Sequence, residues 1–326
     1  MRRREFIRLV GGAAVAWPLS AGAQQAMPVI GFLSSRSSHD SANIVAALRQ
    51  GLNETGFLEG KNLTIEYRWA DGRYEQLSSL AADLVGRKVS LIFATGSLLP
   101  AKAAKAATAT IPIVFTGGED PVRLGLVDSL DRPGGNATGV VNIAAVLDAK
   151  RVELLREIAP KNAALAFLVN PNNPTAESAT NVLDTARAIG QAYYVLSVGS
   201  ELDLLAAFTT ISQRQPSMLL VQSDPLFLGH LRNQLVAMAA QYAVPACYGF
   251  REFTLAGGLM SYGANIAEQA RLAGVYAGRI LKGERPADLP VQQPTKFELL
   301  INLKAARTLR LEVPPTLLAR ADEVIE

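Results

Sequence analysis

Short apolar runs alternate with longer amphipathic stretches along most of this chain. Residues 27–33 (MPVIGFL) form a β-branched run that reads as a buried parallel strand. The segment that follows, to about Glu54, carries Ile44, Ala47, Leu48 and Leu52 at helical spacing, with Ser37, Ser38 or Asp40 placed to cap it. Residues 63–68, 89–94, 111–115 and 139–142 predict four more strands, with helices over 74–85 and 98–107 between them. The pattern then restarts. Helices are expected over 150–158, 175–189, 203–212 and 226–241, and strands over 163–169, 192–198 and 218–222. Such alternation argues for parallel sheets covered by helices on both faces. Two series of similar plan in 326 residues predict an α/β protein of two Rossmann-like lobes.

Composition narrows the function classes. Apolar residues make up 49% of the chain and charged ones 19%, enough for two buried cores. The net charge of +3 resides in residues 1–23, where Arg2, Arg3, Arg4 and Arg8 stand against Glu5, so the remainder is neutral. A neutral body gives no electrostatic footprint for nucleic acid or an anionic membrane. A single cysteine, Cys247, and two histidines, His39 and His230, argue against a disulfide and against a metal site; no cofactor is implied.

Residues 1–23 read as an export signal. A charged start precedes the apolar stretch 9–19, and Ala21-Gly22-Ala23 supplies the small residues of a cleavage site before Gln24. That stretch is too short to cross a hydrocarbon core of about 30 Å, so no membrane anchor is expected. Arg3-Arg4-Glu5-Phe6-Ile7 fits the twin-arginine pattern. The expected location is the periplasm, as a soluble protein.

Ligands of open α/β sheets bind beyond the carboxyl ends of the strands. The residues expected there are Ser34-Ser35, Thr95-Gly96-Ser97 and Thr116-Gly117-Gly118-Glu119-Asp120 in the first series. In the second they are Asn170-Pro171-Asn172-Asn173 and Ser223-Asp224-Pro225. Each could be a helix cap alone; as a set facing one cleft they suit a small polar solute. Signatures of catalysis are sparse. No phosphate-binding GxxxxGK[ST] or GxGxxG loop occurs, and Leu259-Met260-Ser261-Tyr262-Gly263 has Leu where a nucleophile elbow needs Gly. Adjacent Glu119 and Asp120 cannot flank one glycosidic bond. The chain is therefore expected not to be an enzyme.

The stretch Tyr248-Gly249-Phe250-Arg251-Glu252-Phe253, then Ala256-Gly257-Gly258-Leu259-Met260-Ser261-Tyr262-Gly263, is distinctive. With Phe115-Thr116-Gly117-Gly118-Glu119-Asp120-Pro121 and Asn170-Pro171-Asn172-Asn173-Pro174, it resembles the solute-binding proteins of the ABC transporter family that includes the tryptophan/tyrosine-binding type. The resemblance covers essentially the whole chain after the leader. It implies the type I periplasmic binding protein fold, two lobes joined by three hinge crossings, with no catalysis and an inner-membrane permease as partner. The lobes would comprise residues 27–142 with 264–288, and 143–260 with 291–326. The crossings would be Asn142-Ile143-Ala144, Ser261-Tyr262-Gly263 and residues 289–293. Under the same resemblance Thr95, Ser97 and Thr116 would donate to a carboxylate, and Asp120 and Asp224 would be candidates for an ammonium group. Asn170, Asn173 and Tyr248 would close from the second lobe, with Ser34, Ser35, Gly96 and Asn142 completing the site. The implied ligand is an amino acid, an aromatic acid or another small carboxylate, bound by a monomer. A periplasmic partner of a sensory receptor, a LacI-type regulator (which needs a DNA-binding domain where the leader stands) and an α/β hydrolase are the alternatives.

Overall fold

The computed structural model describes residues 27–143, 147–173 and 178–326. The expected export signal, Ala144 of the first expected crossing and Pro174 lie outside the described residues. Two sheets organise the rest. The first contains β1 (Val29–Ser34), β2 (Thr64–Trp69), β3 (Leu91–Thr95), β4 (Ile113–Gly117) and β5 (Ala137–Val141), in the order β2-β1-β3-β4-β5. Every pairing in it is parallel. The strands β3 and β5 are buried along their whole length, as continuous apolar runs between two helical layers must be.

The second sheet has seven strands. In chain order they are β6 (Ala164–Val169), β7 (Tyr193–Ser197), β8 (Ser217–Val221), β9 (Ala246–Tyr248), β10 (Met260–Gly263), β11 (Glu298–Asn302) and β12 (Glu323–Ile325). They are arranged β12-β11-β10-β9-β8-β6-β7, parallel except between β10 and β11. The antiparallel pair arises because the chain leaves β10 for the first sheet and re-enters through β11 from the opposite direction.

On the first sheet, α1 (Ala42–Glu54) and the later α10 (Ile266–Leu281) pack backbone against backbone. Among the helices between them, α2 (Leu77–Gly86) and α3 (Leu99–Ala107) cover the other face. On the second sheet lie α4 (Asp148–Ile158), α5 (Ser178–Ala188), α6 (Glu201–Gln213), α7 (Pro225–Leu228), α8 (Arg232–Gln241) and α9 (Arg251–Leu255). The helix expected over 226–241 is broken into α7 and α8. Gly229 leaves helical geometry at ψ −94°, and the Leu231 amide turns back to the Leu226 carbonyl.

After α10 the chain runs along the edge of β5. The Val141 amide donates to Gln292 O (2.9 Å), the Gln292 amide to Gly139 O (2.9 Å), and Thr138 Oγ1 to Leu289 O (2.6 Å). A second fixed point lies where α4 meets β10. Fully buried Arg151 pairs with Asp148 and donates through Nε to Tyr262 O at 2.7 Å. Among the described residues no helix is long and apolar enough to cross a membrane.

The α1–α10 contact depends on missing side chains. A Cβ on Gly51 would lie 1.9 Å from the Arg271 carbonyl oxygen, and one on Gly274 would lie 2.5 Å from that of Leu48. Around this seam pack Ile44, Leu48, Leu52, Ala273, Ala277 and Ile280. Alanine is favoured over glycine in a helix by about 1 kcal/mol, but here it must push two backbones apart. Gly51→Ala is therefore expected to destabilise by about 1–3 kcal/mol, the range for overpacking. The melting temperature should fall by several degrees; an unchanged or raised value would show that the seam has slack.

Candidate functional site

The loops after β1, β3 and β4 face those after β6, β8 and β9. Several contacts bridge them. Asn43 Nδ2 donates to Glu252 Oε1 at 3.1 Å, Asp40 lies against Gly229, and the Arg36 guanidinium sits 6.0 Å from the centroid of the Phe250 ring. The Tyr74 hydroxyl, at the start of the turn leading into α2, bonds the Asp224 carboxylate.

On the first lobe the strand-end hydroxyls form a buried set. Ser34, Ser35, Thr95, Ser97 and Thr116 are all buried. Thr95 Oγ1 and Thr116 Oγ1 lie 2.7 Å apart in one hydrogen bond, and Ser97 Oγ donates to Ser35 Oγ at 3.5 Å. Ser34 Oγ accepts from the Arg36 amide at 3.0 Å, holding the loop that carries the guanidinium. Gly96 sits between them with φ +94°, where a Cβ would lie 2.4 Å from Ser35 Oγ, so only glycine lets these loops close together. Asn142, at the end of β5, is buried and its Oδ1 has no partner.

On the second lobe everything turns on Asp224. It starts α7, accepting from the Leu226 amide at 2.8 Å. Asn170 Nδ2 donates to Oδ1 at 3.0 Å and Asn173 Nδ2 to Oδ2 at 2.6 Å, while Tyr74 adds a donor from the opposite lobe. The Asn170 amide is itself held by Gln222 Oε1 at 2.9 Å, and Asn170 Oδ1 accepts from the Asn172 amide. Neighbouring Ser223 Oγ is buried without a partner.

Two of the expected site residues lie apart from this group. Asp120 Oδ1 accepts from the amides of Val122 and Arg123, so its carboxylate is engaged in the exposed turn that follows. Tyr248 is fully buried, its ring stacked on Phe253 at 4.4 Å and lying over Gly258, because alternation along β9 turns it into the core. Three residues join the group that were not among those expected in it, Arg36, Tyr74 and Gln222, and Glu119, expected at a strand end, joins it too. A charged residue within a run of serines at a strand end was a readable signal for Arg36. Nothing in the local pattern marks Tyr74, whose role comes from the opposite lobe.

Glu119, beside Asp120, is half-buried and caps α3, its Oε2 accepting from the Leu98 amide (3.0 Å) and the Gly118 amide (3.1 Å). Burial pushes its carboxyl up, against the lowering by those amides, and the nearby Asp224 charge adds to the rise. Burial likewise pushes Asp224 up despite its four donors. A raised carboxyl pKa means the folded chain holds the proton more tightly than the unfolded one. Its contribution to stability is present below the ordinary carboxylate value, about 4, and is lost as pH rises through the folded value. Glu119→Gln removes one such group. The melting temperature of this variant relative to the unaltered protein should rise between about pH 4 and pH 7. A difference that stays flat over that range would show that Glu119 titrates as in the unfolded chain.

With this geometry in view, the chain can be set beside known proteins. The ABC transporter substrate binding protein family matches residues 29–325. A tyrosine-binding protein of Clostridioides difficile (strain R20291) is 26% identical over 264 residues, 81% of this chain and 75% of that protein. The crystal structure of a conserved domain protein from Vibrio cholerae superposes with a TM-score of 0.84 at 26% identity, covering 91% of this chain and 99% of that one. An ABC domain from Streptococcus pneumoniae, solved in complex with L-Trp, gives 0.82 at 23% identity, with the same coverage of 91% and 99%. The two-sheet architecture is that of the type I periplasmic binding proteins. Since the family match spans nearly every described residue, this chain belongs to the ABC transporter substrate-binding proteins.

Proposed function

We propose that this chain is the exported solute-binding component of an ABC uptake system. It captures a small carboxylate-bearing solute, an amino acid or an aromatic acid, between its lobes in the periplasm and delivers it to an inner-membrane permease as a monomer, without chemistry. The observation that carries this reading is the buried polar strand-end cluster about Asp224 on the second sheet, which Tyr74 of the first joins by a hydrogen bond. Strand-end hydroxyls and amides are suited to fixing a polar ligand, and groups from both lobes can engage it together only when the lobes are closed. The ligands named for relatives, tyrosine for one and L-Trp for another, support a small amino acid or a molecule of that size. The lobes in this reading are residues 27–142 with 264–288, and 143–260 with 291–326. Ser34, Ser35, Thr95, Gly96, Ser97, Thr116, Asn142, Asn170, Asn173 and Asp224 are its working site residues, joined by Tyr74 and Gln222.

A thermal-shift screen of refolded protein tests the reading. Amino acids, aromatic and branched acids, nucleosides and sugars form the library. Ligand at about a hundred times its dissociation constant adds about 2.7 kcal/mol, which lifts the melting temperature by several degrees. Asp224→Ala removes the acceptor that organises Asn170, Asn173 and Tyr74, so affinity for the responding solute should fall by about 1–3 kcal/mol. A flat screen across every class would defeat the solute-binding reading. Full affinity in a folded Asp224→Ala variant would take Asp224 out of the site.

A further inference from the structure

A cavity of about 210 Å³ lies in the second lobe, away from the cleft. It sits where β9 and β10 begin and β11 ends, the end of the second sheet opposite the loops after β6, β8 and β9. Flanking it are α8 and a short helix, α11 (Leu303–Thr308). The space exists because small residues build much of its wall: Ala239 and Ala240 on α8, Ala246 on β9, Gly257 and Gly258 before β10, and Ala305 on α11. An engineered cavity of about 150 Å³ with an apolar lining accepts benzene. This one has room for a single aromatic ring with a substituent.

The wall carries one unanswered polar group. Tyr248 is fully buried, and its hydroxyl has no partner among the described residues. The ring leans back over Gly258, where a Cβ would lie 2.7 Å from Tyr248 Cε2, the atom next to the one that bears the hydroxyl. Gly258 and Tyr248 both line the cavity, which sets the hydroxyl end of the ring at its inner wall. Burial pushes the phenol pKa up and so keeps its proton available for donation. The other polar side chains of the wall are engaged or exposed. Asn302 Nδ2 donates to Thr254 O at 3.3 Å, and its Oδ1 accepts from the Ala305 amide at 2.9 Å. Thr308 Oγ1 donates to Lys304 O at 3.0 Å, and Lys304, the one charged residue of the wall, is exposed. A buried hydroxyl left unpaired costs free energy that a ligand with a hydrogen-bonding group would return.

We propose that this cavity is a second small-molecule site, which takes an uncharged aromatic ring bearing a hydrogen-bonding group, with the Tyr248 hydroxyl as its polar anchor. Apolar walls bury the ring, and one convergent hydroxyl fixes the direction in which it lies. An ionised molecule would lose its hydration there without a buried charge to pair with. The proposal does not depend on the solute-binding reading, since no residue of this wall belongs to the working site in the cleft.

Isothermal titration of the full chain with phenol and with toluene tests this. Both should bind at a single site per chain. Ala239→Leu, which sets a larger side chain in the cavity wall, should weaken both by at least about tenfold, whereas Asp224→Ala in the cleft should leave both unchanged. Tyr248→Phe keeps the ring and removes the hydroxyl. Phenol should then lose about two- to tenfold in affinity, the share of one neutral hydrogen bond, and toluene nothing. If Ala239→Leu does not fold, Ala305→Leu narrows the cavity from the other helix, and the response of the two compounds to Tyr248→Phe decides without either. Failure of both compounds to bind, affinities untouched by the leucine variants, or a Tyr248→Phe variant that treats the two alike would overturn the proposal. So would binding lost in Asp224→Ala but kept in Ala239→Leu, an outcome that puts the ring in the cleft and leaves the solute-binding reading standing.

Discussion

The interaction on which the rest of the site depends is the burial of one carboxylate, Asp224, among donors drawn from two sheets. An ionised carboxyl taken out of water is tolerated only when hydrogen bonds replace its hydration. Here the replacement comes from three directions: the strand-end amides of Asn170 and Asn173, the backbone of α7, and the phenol of Tyr74 across the gap. Each donor is fixed in turn. Gln222 holds the Asn170 backbone, and the Asn170 side chain holds that of Asn172. The loops after β6 and β8 thus have one arrangement that satisfies all members, which a half-satisfied network would not have. The same physics acts at the Asp148–Arg151 pair, where a buried cation donates to the Tyr262 carbonyl as the chain leaves the second sheet.

Rigid lobes are what make such a site useful. The glycine seam between α1 and α10 locks the returning helix onto the first sheet, and the strip that runs along β5 is tied by backbone bonds on both sides of Gln292. Under the proposed role, motion would be left to the few segments that pass between sheets, as in hinge closure. The proposed site residues sit on strand ends and helix starts within each lobe, so closure would bring together two preformed half-sites.

Much of the fold was legible because it follows from periodicity. The apolar runs over 89–94 and 111–115 became β3 and β4 within two residues at each end, since a strand buried on both faces has little alternative composition. The helix over 226–241 was overextended because one glycine among apolar residues carries no clear stop signal. The polar strand-end sets were legible too, as any doubly wound sheet places its loops there. What could not be read was direction. Asp120 and Glu119 are neighbours in sequence, yet the turn after β4 absorbs the first into its own amides while the second caps α3 near Asp224. Tyr248 looked like a cleft aromatic, but on a three-residue strand the alternation of side chains decided for the core. Tyr74 and Arg36 gain their meaning only from residues far away in the chain.

The contacts that cross between lobes are few and individually weak. A hydrogen bond to a carboxylate such as that from Tyr74 contributes about 1.5–3 kcal/mol, an exposed pair such as Asn43–Glu252 less, and a cation–π contact about 0.5–2 kcal/mol. Against them stands the cost of burying the Arg36 guanidinium, whose Nε has no partner. Under the proposed solute-binding role, a balance of this kind would leave open and closed forms within a few kcal/mol of each other, the range in which a ligand's differential affinity can reverse the populations.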